Sequence, residues 1–227
     1  MLRFPILRGP LRGARWRLDG GGKVLRVLNG TYEPEQTGFA VELVRPGATV
    51  FDIGAHVGYY TLLFSRLVGP AGRVVAFEPS PRNLRVLRWH VARNGCANVR
   101  VEAAAVSDET GSARFAASAG SGTGRLAESG TVEVRTIRLD DYVDAGGPMP
   151  DVLKIDVEGA ELAVLQGAVG VLREARPAIL LSTHGADVHR ACIGLLQEHG
   201  YEPTPVLGGD MERAPELLCV PAGAALT

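Results

Sequence analysis

Cysteine is scarce in this chain: Cys96, Cys192 and Cys219 are the only three in 227 residues. Their number is odd and their spacing matches neither a zinc site nor a disulfide scaffold, so they read as small buried hydrophobes in a reducing compartment. An excess of one charge sign is also missing. With 24 basic against 25 acidic residues, a nucleic-acid partner held by a bulk basic field is not expected. No run of about 20 apolar residues occurs, which argues against a transmembrane helix. The opening MLRFPILRGPLRGARWRL carries Arg3, Arg8, Arg12, Arg15 and Arg17. Its prolines and arginines interrupt any apolar core that a signal peptide needs, and the expected location is the cytoplasm. Those arginines read as the solvated face of a strand. Neither GxGxxG nor GxxxxGK[ST] is present, so a polyphosphate-bearing cofactor held by either glycine motif is not expected. There are no internal repeats.

What the chain does have is length for one sizeable α/β domain with room for a small appendage. Residues 14–28 alternate polar and apolar around Asp19-Gly20-Gly21-Gly22, the pattern of a β-hairpin with a glycine turn, and residues 1–47 read as a small cap. From Thr49 onward short β-rich runs alternate with amphipathic segments: Thr49–Ile53, Tyr59–Val68, Arg73–Phe77, 81–94 and 99–105. That βαβαβ order predicts a mostly parallel sheet with right-handed crossovers in a domain over 48–227.

Ser80 suits an N-cap, Pro81 the first helical position and Gly95 the exit, with Leu84, Leu87 and Val91 as one stripe. Leu162, Leu165, Val169 and Leu172 repeat at helical spacing, as do Val188, Cys192, Leu195 and Leu196 before Gly200. Between them, residues 118–130 (SAGSGTGRLAESG) read as a loop, an insertion or a lid. Val132–Ile137 reads as an extra strand, 151–155 and 178–181 as buried strands, and 201–207 with 217–220 as a closing pair. His90, His189 and His199 are placed on helix surfaces.

The polar residues fall at strand ends. Asp52 closes one strand and is followed by Gly54 and Gly58, which let a ligand approach backbone N–H groups and a helix start. Glu78 ends the next strand roughly 20 residues past that turn, where a carboxylate accepts both ribose hydroxyls. A nucleoside without a polyphosphate points to S-adenosylmethionine. Asp108 follows the third strand, Asp156 ends the fourth in VLKIDVEGAE, and His184 ends the fifth in ILLSTHG. In an open parallel sheet these ends share the carboxyl edge, where ligands bind.

The stretches TYEPEQTGF, VFDIGAHVGYYTLLFS, VVAFEPSP, AVSDETG, VRTIRLDDYV and LKIDVEGAELAVLQGA, in that order over about residues 31 to 175, resemble the FkbM-type methyltransferases, a branch of the class I S-adenosylmethionine-dependent enzymes. The resemblance implies a Rossmann-like seven-stranded methyltransferase sheet and methyl transfer, usually to an oxygen of a sugar, polyketide or other secondary metabolite. It implies that Asp52, Gly54 and Gly58 hold the methionine end of the cofactor, Glu78 the ribose, and Ser107 with Asp108 the adenine edge. His56, Tyr59 and Asp156 complete the expected cofactor-binding set, with Tyr59 or Tyr60 lining the methionine pocket, and Tyr32 and Glu33 are placed to fold over the cofactor. Members of the family often carry an acid two residues before the histidine, a position held here by Ser182.

An alcohol is a weak nucleophile until its proton leaves, so a general base is needed within hydrogen-bond reach of the acceptor oxygen. His184 has the suitable pKa range; Asp156 is assigned as its orienter and Glu158 as the alternative acid. Asp156 and Glu158 also suit capping of the helix that follows. Catechol-type methyltransferases bind magnesium near that edge, but Asp156, Glu158 and His184 or His56 are not spaced as a known metal signature, and no metal is expected. The competing readings are an NAD-dependent oxidoreductase, disfavoured by the non-GxGxxG turn and the lack of a Tyr-xxx-Lys pair, and a cofactor-binding protein without catalysis. The expected partner is a small-molecule hydroxyl acceptor, not nucleic acid.

Overall fold

A computed structural model describes residues 3–17, 23–117, 124–126 and 130–223. In chain order the elements are β1 (Arg3–Pro5), β2 (Arg15–Arg17), α1 (Val24–Asn29), α2 (Pro34–Leu43), β3 (Thr49–Ile53), α3 (Tyr59–Val68), β4 (Arg73–Phe77), α4 (Pro81–Arg93), β5 (Val99–Glu102), β6 (Ala105–Val106), β7 (Gly111–Ala117), β8 (Gly124–Leu126), β9 (Val132–Ile137), α5 (Leu139–Asp144), β10 (Val152–Ile155), α6 (Glu161–Gln166), α7 (Val169–Glu174), β11 (Ala178–Ser182), α8 (Ala186–Glu198), β12 (Tyr201–Pro205) and β13 (Glu216–Pro221). The main sheet has seven strands in the order β12-β13-β11-β10-β3-β4-β5. Strands β11 through β5 run parallel, and β13 enters antiparallel between β12 and β11. This is the α/β, mostly parallel architecture that the alternation of strand and helix patterns predicts.

The central strands are largely apolar on both faces because helices cover both, with Asp52 and Lys154 as buried exceptions. One core joins Phe51, Ile53, Phe77, Leu153 and Ile155 to α6, α7 and α8. The other joins Val50, Val74 and Leu180 to α3 and to Ile6, Leu11, Trp16, Val27 and Ala40 of the N-terminal segment. The N-terminal segment therefore shares a core with the sheet instead of building its own.

Four features depart from the sequence reading. The N-terminal antiparallel pair is β1 with β2, and Val24–Asn29 is helical; the proposed turn at 19–22 lies outside the described residues. The apolar run VLRVL suits either period, but only a helix buries Val27 beside Val24 and Leu28 while leaving Leu25 exposed. Second, the run at 99–105 breaks after Glu102, and β6 joins β9 in a separate four-stranded sheet, β6-β9-β7-β8; most of the 118–130 loop lies outside the described residues.

Third, the helix after Gly159 divides into α6 and α7. Asp140 accepts N–H bonds from Gly170 and Val171 at 3.1 and 3.0 Å, capping α7 as a separate helix. Fourth, His90 and His189 are buried. His90 stacks on Trp16 with centroids 4.0 Å apart, accepts the Arg17 N–H at Nε2, and bonds the Val57 carbonyl through Nδ1. Helix α2 and strand β7 had no counterpart in the sequence reading. Among the described residues no helix is long and apolar enough to cross a membrane.

Candidate active site

The turn between β3 and α3 is held from three sides. Gly54 has φ +80°, and a Cβ there would lie 1.8 Å from the carbonyl oxygen of Asp156, so glycine alone lets this turn touch the tip of β10. The Gly54 and Ala55 N–H groups both donate to the Phe77 carbonyl at 3.0 Å. Glu78 is almost fully buried and accepts from the His56 N–H at 2.8 Å, the Ser80 N–H at 2.8 Å and the Asn83 amide at 3.3 Å. Burial pushes its carboxyl up to about 7 against the pull of those donors. One carboxylate thus clamps the glycine turn to the start of α4, where Ser80 is the N-cap.

Beneath the turn lies a buried charge cluster that the sequence reading missed. The Lys154 ammonium lies 3.3 Å from Asp156 Oδ2 and 3.8 Å from Asp52 Oδ1, over the ring of Tyr60 at 5.1 Å. Asp52 is fully buried and accepts a hydrogen bond at Oδ2 from the Thr61 hydroxyl at 2.5 Å. Burial raises its carboxyl, with Lys154 pulling the other way. For Asp156, burial is outweighed by Lys154 and the nearby imidazole of His184, and the group sits below the usual carboxylate range. Burial likewise opposes the Lys154 charge, but Asp156 and Asp52 outweigh it and hold the ammonium protonated. The overlooked signal was a lysine inside VLKI, a strand buried at all four positions: such a cation needs partners. Asp52 therefore lies under the turn and not on its surface.

His184 stands at the mouth of this cluster. Its Nε2 is 3.9 Å from Asp156 Oδ1 and 3.7 Å from Glu158 Oε2. Its hydrogen bond goes elsewhere: Nδ1 meets Glu161 Oε1 at 2.8 Å, and the same oxygen accepts the Gly159 N–H at 2.9 Å. The group bonded to the ring is thus Glu161, not Asp156. That bond, reinforced by the charges of Glu161, Asp156 and Glu158, raises the imidazole to about 9 in spite of partial burial. Glu158 itself is held at φ +56° in the left-handed region, which turns KIDVEG sharply into α6.

An acid lies beside Ser182 on the antiparallel neighbour of β11. Ser182 pairs with Glu216 of β13 in register and donates to Glu216 Oε2 at 2.6 Å. Above them the segment before α2 reaches over the edge: Tyr60 donates to Glu33 Oε2 at 3.1 Å, and Tyr32 packs on Tyr59 with centroids 4.6 Å apart. The Tyr59 hydroxyl lies 3.3 Å from that of Thr37 on α2, so Tyr59 faces the N-terminal segment.

The structure brings Asp52, Gly54, His56, Glu78, Asp156, Glu158 and His184 together through these contacts. Ser107 and Asp108 follow β6 of the smaller sheet and bond to each other at 2.9 Å. The Ser107 N–H donates to the Ile137 carbonyl at 3.0 Å, and among the described residues no hydrogen bond or ion pair links Ser107 or Asp108 to those seven residues. No group of three or more His, Cys, Asp or Glu is arranged to hold a metal ion among the described residues.

Residues 52–203 match the model of the methyltransferase FkbM domain. The 31-O-demethyl-FK506 methyltransferase FkbM of Streptomyces tacrolimicus is 31% identical, over 74% of this chain and 79% of that enzyme. The hexuronic acid methyltransferase AglP of Haloferax volcanii is 27% identical, over 77% of this chain and 72% of that enzyme. Among solved structures, methyltransferase FkbM from Methylobacillus flagellatus aligns with a TM-score of 0.53 at 20% identity, covering 87% of this chain and 53% of that one. An S-adenosylmethionine-dependent O-methyltransferase from Thermotoga maritima aligns at 0.53 and 14% identity, over 89% and 71%. A match of that length to the domain, together with relatives covered over most of their own sequence, makes this chain a member of the FkbM methyltransferase family, with S-adenosylmethionine as its cofactor.

Proposed function

We propose that the chain transfers a methyl group to a hydroxyl oxygen of a small acceptor, a sugar, polyketide or other secondary metabolite. The observation that carries this reading is an imidazole bonded to a buried carboxylate beside the glycine turn, His184 to Glu161 at 2.8 Å. The names of the two curated relatives support it, one acting on a 31-O-demethyl compound and the other on a hexuronic acid.

The residues present fit the cofactor. Glu78 Oε2 receives one hydrogen bond and keeps acceptor capacity for a ribose hydroxyl. Gly54 lets the turn rest directly on the Asp156 backbone, an approach that any side chain there would block. Carboxylates outnumber cations there, which suits a sulfonium ion. In our reading Gly54, His56 and Gly58 line the methionine end, Glu78 the ribose and Ser107 with Asp108 the adenine, while Asp52 supports the turn from below. When bound, S-adenosylmethionine supplies an electrophilic methyl group.

His184 in its neutral form takes the acceptor proton at Nε2, while Glu161 holds the ring and stabilises the resulting imidazolium. Asp156 and Glu158, both within 4 Å of Nε2, orient the acceptor hydroxyl. At pH 7 a group with a pKa near 9 is neutral in roughly one molecule in a hundred, so this base works best in mildly alkaline solution.

In the same reading residues 1–47 cap a cofactor domain over 48–227, and the protein works in the cytoplasm, where its three free thiols persist. The test is incubation with S-adenosylmethionine and a panel of hydroxylated acceptors, read by mass spectrometry alongside calorimetry with S-adenosylhomocysteine and NAD. A gain of one methyl group on an acceptor oxygen is expected. Binding of NAD in place of S-adenosylhomocysteine, or methylation at nitrogen or carbon only, overturns the reading.

A further inference from the structure

A cleft of about 1110 Å³ opens at the amino ends of β4 and β5, the edge opposite the candidate active site. Five arginines from five elements line it: Arg15 of β2, Arg66 of α3, Arg73 of β4, Arg93 of α4 and Arg100 of β5, and no aspartate or glutamate does. In a chain whose acids and bases are equal to within one, such segregation is improbable by chance.

Part of this charge has a structural use. Arg66 donates to the carbonyls of Pro10 and Arg12 at 2.6 and 3.2 Å, and Arg100 pairs with Glu102 at 2.5 Å. The carboxyl ends of α3 and α4 also face this edge, but each helix end is equivalent to about half a negative charge, so together they offset roughly one guanidinium. The guanidinium groups of Arg15, Arg73 and Arg93 are exposed and have no hydrogen-bond or ion-pair partner among the described residues.

The rim is also held in place. Asn94 accepts the Arg15 N–H at 2.6 Å and returns a bond to its carbonyl at 3.0 Å, fixing β2 against the end of α4. Asn98 takes the Ser65 hydroxyl and donates to the carbonyls of Ser65 and Gly69 at 2.9 and 2.8 Å. These bonds hold the backbone that carries Arg15 and closes the ends of α3 and α4, so ordering the rim round an anion costs little main-chain entropy.

We propose that this cleft binds the di- or triphosphate group of a phosphorylated ligand. Arginine engages phosphate through paired N–H···O bonds. Five arginines with no carboxylate among the lining residues favour an anion with several charges in a small volume over a glycan, whose carboxylates or sulfates are spread along a chain. No aromatic ring lines it, so a nucleobase finds no stacking partner, and the phosphates carry the recognition. The site is separate from the methyl-transfer reading and stands or falls without it.

The test is calorimetry of the full chain with inorganic tripolyphosphate, adenosine triphosphate and a heparin-derived oligosaccharide, at low and at high salt. Saturable binding of tripolyphosphate and adenosine triphosphate with similar affinity is expected, weakening as screening increases. The Arg73→Gln/Arg93→Gln variant, in exposed positions, should bind both at least about tenfold more weakly with unchanged affinity for S-adenosylhomocysteine. If that variant does not fold, Arg15→Gln serves, with a smaller loss expected. Absence of saturable binding at low salt, or binding indifferent to these substitutions, overturns the proposal. Tighter binding of the sulfated oligosaccharide, or of adenosine triphosphate far above tripolyphosphate, overturns its phosphate assignment.

Discussion

Glu161 Oε1 lies 2.8 Å from Nδ1 of His184, the carboxylate fully buried and the imidazole about one-third exposed. The pairing links a residue at the start of α6 to one just beyond β11, and it raises the proton affinity of an imidazole that faces Asp156 and Glu158.

The first prediction concerns pH. An imidazole raised from 6.5 to about 9 adds stability that is fully present below 6.5 and is lost as pH rises through 9. Base function runs the other way: the rate should climb with pH and level off above about 9. Glu161→Gln should return the His184 titration, followed by NMR, most of the way to its ordinary range and move the rate plateau down with it. A plateau that stays near 9 in the variant would remove Glu161 from this role.

Glu78 gives the second. Its carboxyl is raised from 4.5 to about 7, so its contribution to stability is greatest below 4.5 and falls as pH rises through 7. Denaturant melts of Glu78→Gln should show a flatter dependence across that window than wild type. Glu78→Ala should weaken S-adenosylhomocysteine binding by about a hundredfold, the loss of a ribose hydrogen bond to a charged acceptor. His184→Ala should leave that affinity within about threefold and lower turnover by about 10² or more.

Third, Lys154→Met should destabilise the protein by about 3 kcal/mol, because it leaves the fully buried Asp52 without its cation and the partly exposed Asp156 without its nearest one. Adding Asp52→Asn removes one of those charges and should recover part of the loss. A double variant no more stable than Lys154→Met would show that Lys154 acts by packing and not by charge.

Fourth, Gly54→Ala should both lower the melting temperature and weaken S-adenosylhomocysteine binding, since the new methyl meets the Asp156 carbonyl at 1.8 Å and must push the turn away from β10. Equal affinity in variant and wild type would show that the turn does not shape the cofactor site.

Much of the fold was legible because its signals are local. β3, α3 and β4 fall where apolar runs and Gly58 place them, and Ser80 with Pro81 opens α4 as their capping chemistry requires. Legibility failed where two periods fit equally, as in VLRVL, or where a strand changed sheets: nothing in VRVEAAAV marks the break between β5 and β6. His90 illustrates a third failure. Its helical position suggested an exposed face, but Trp16 of the N-terminal segment covers it, and no property of α4 alone announces a covering residue more than seventy positions earlier.

By itself the sequence determined the alternation of strands and helices and the placing of Asp52, Glu78 and Asp156 at or next to strand ends, because side-chain period and turn chemistry are set by neighbours along the chain. The tertiary structure alone decided who partners whom. Glu161 reaches His184 across 23 positions and Glu216 reaches Ser182 across 34, Lys154 lies between Asp52 and Asp156, and five scattered arginines converge on the far edge. Proton affinity and local charge depend on distance through space, and that distance exists only once the helices have wound the strands into one sheet.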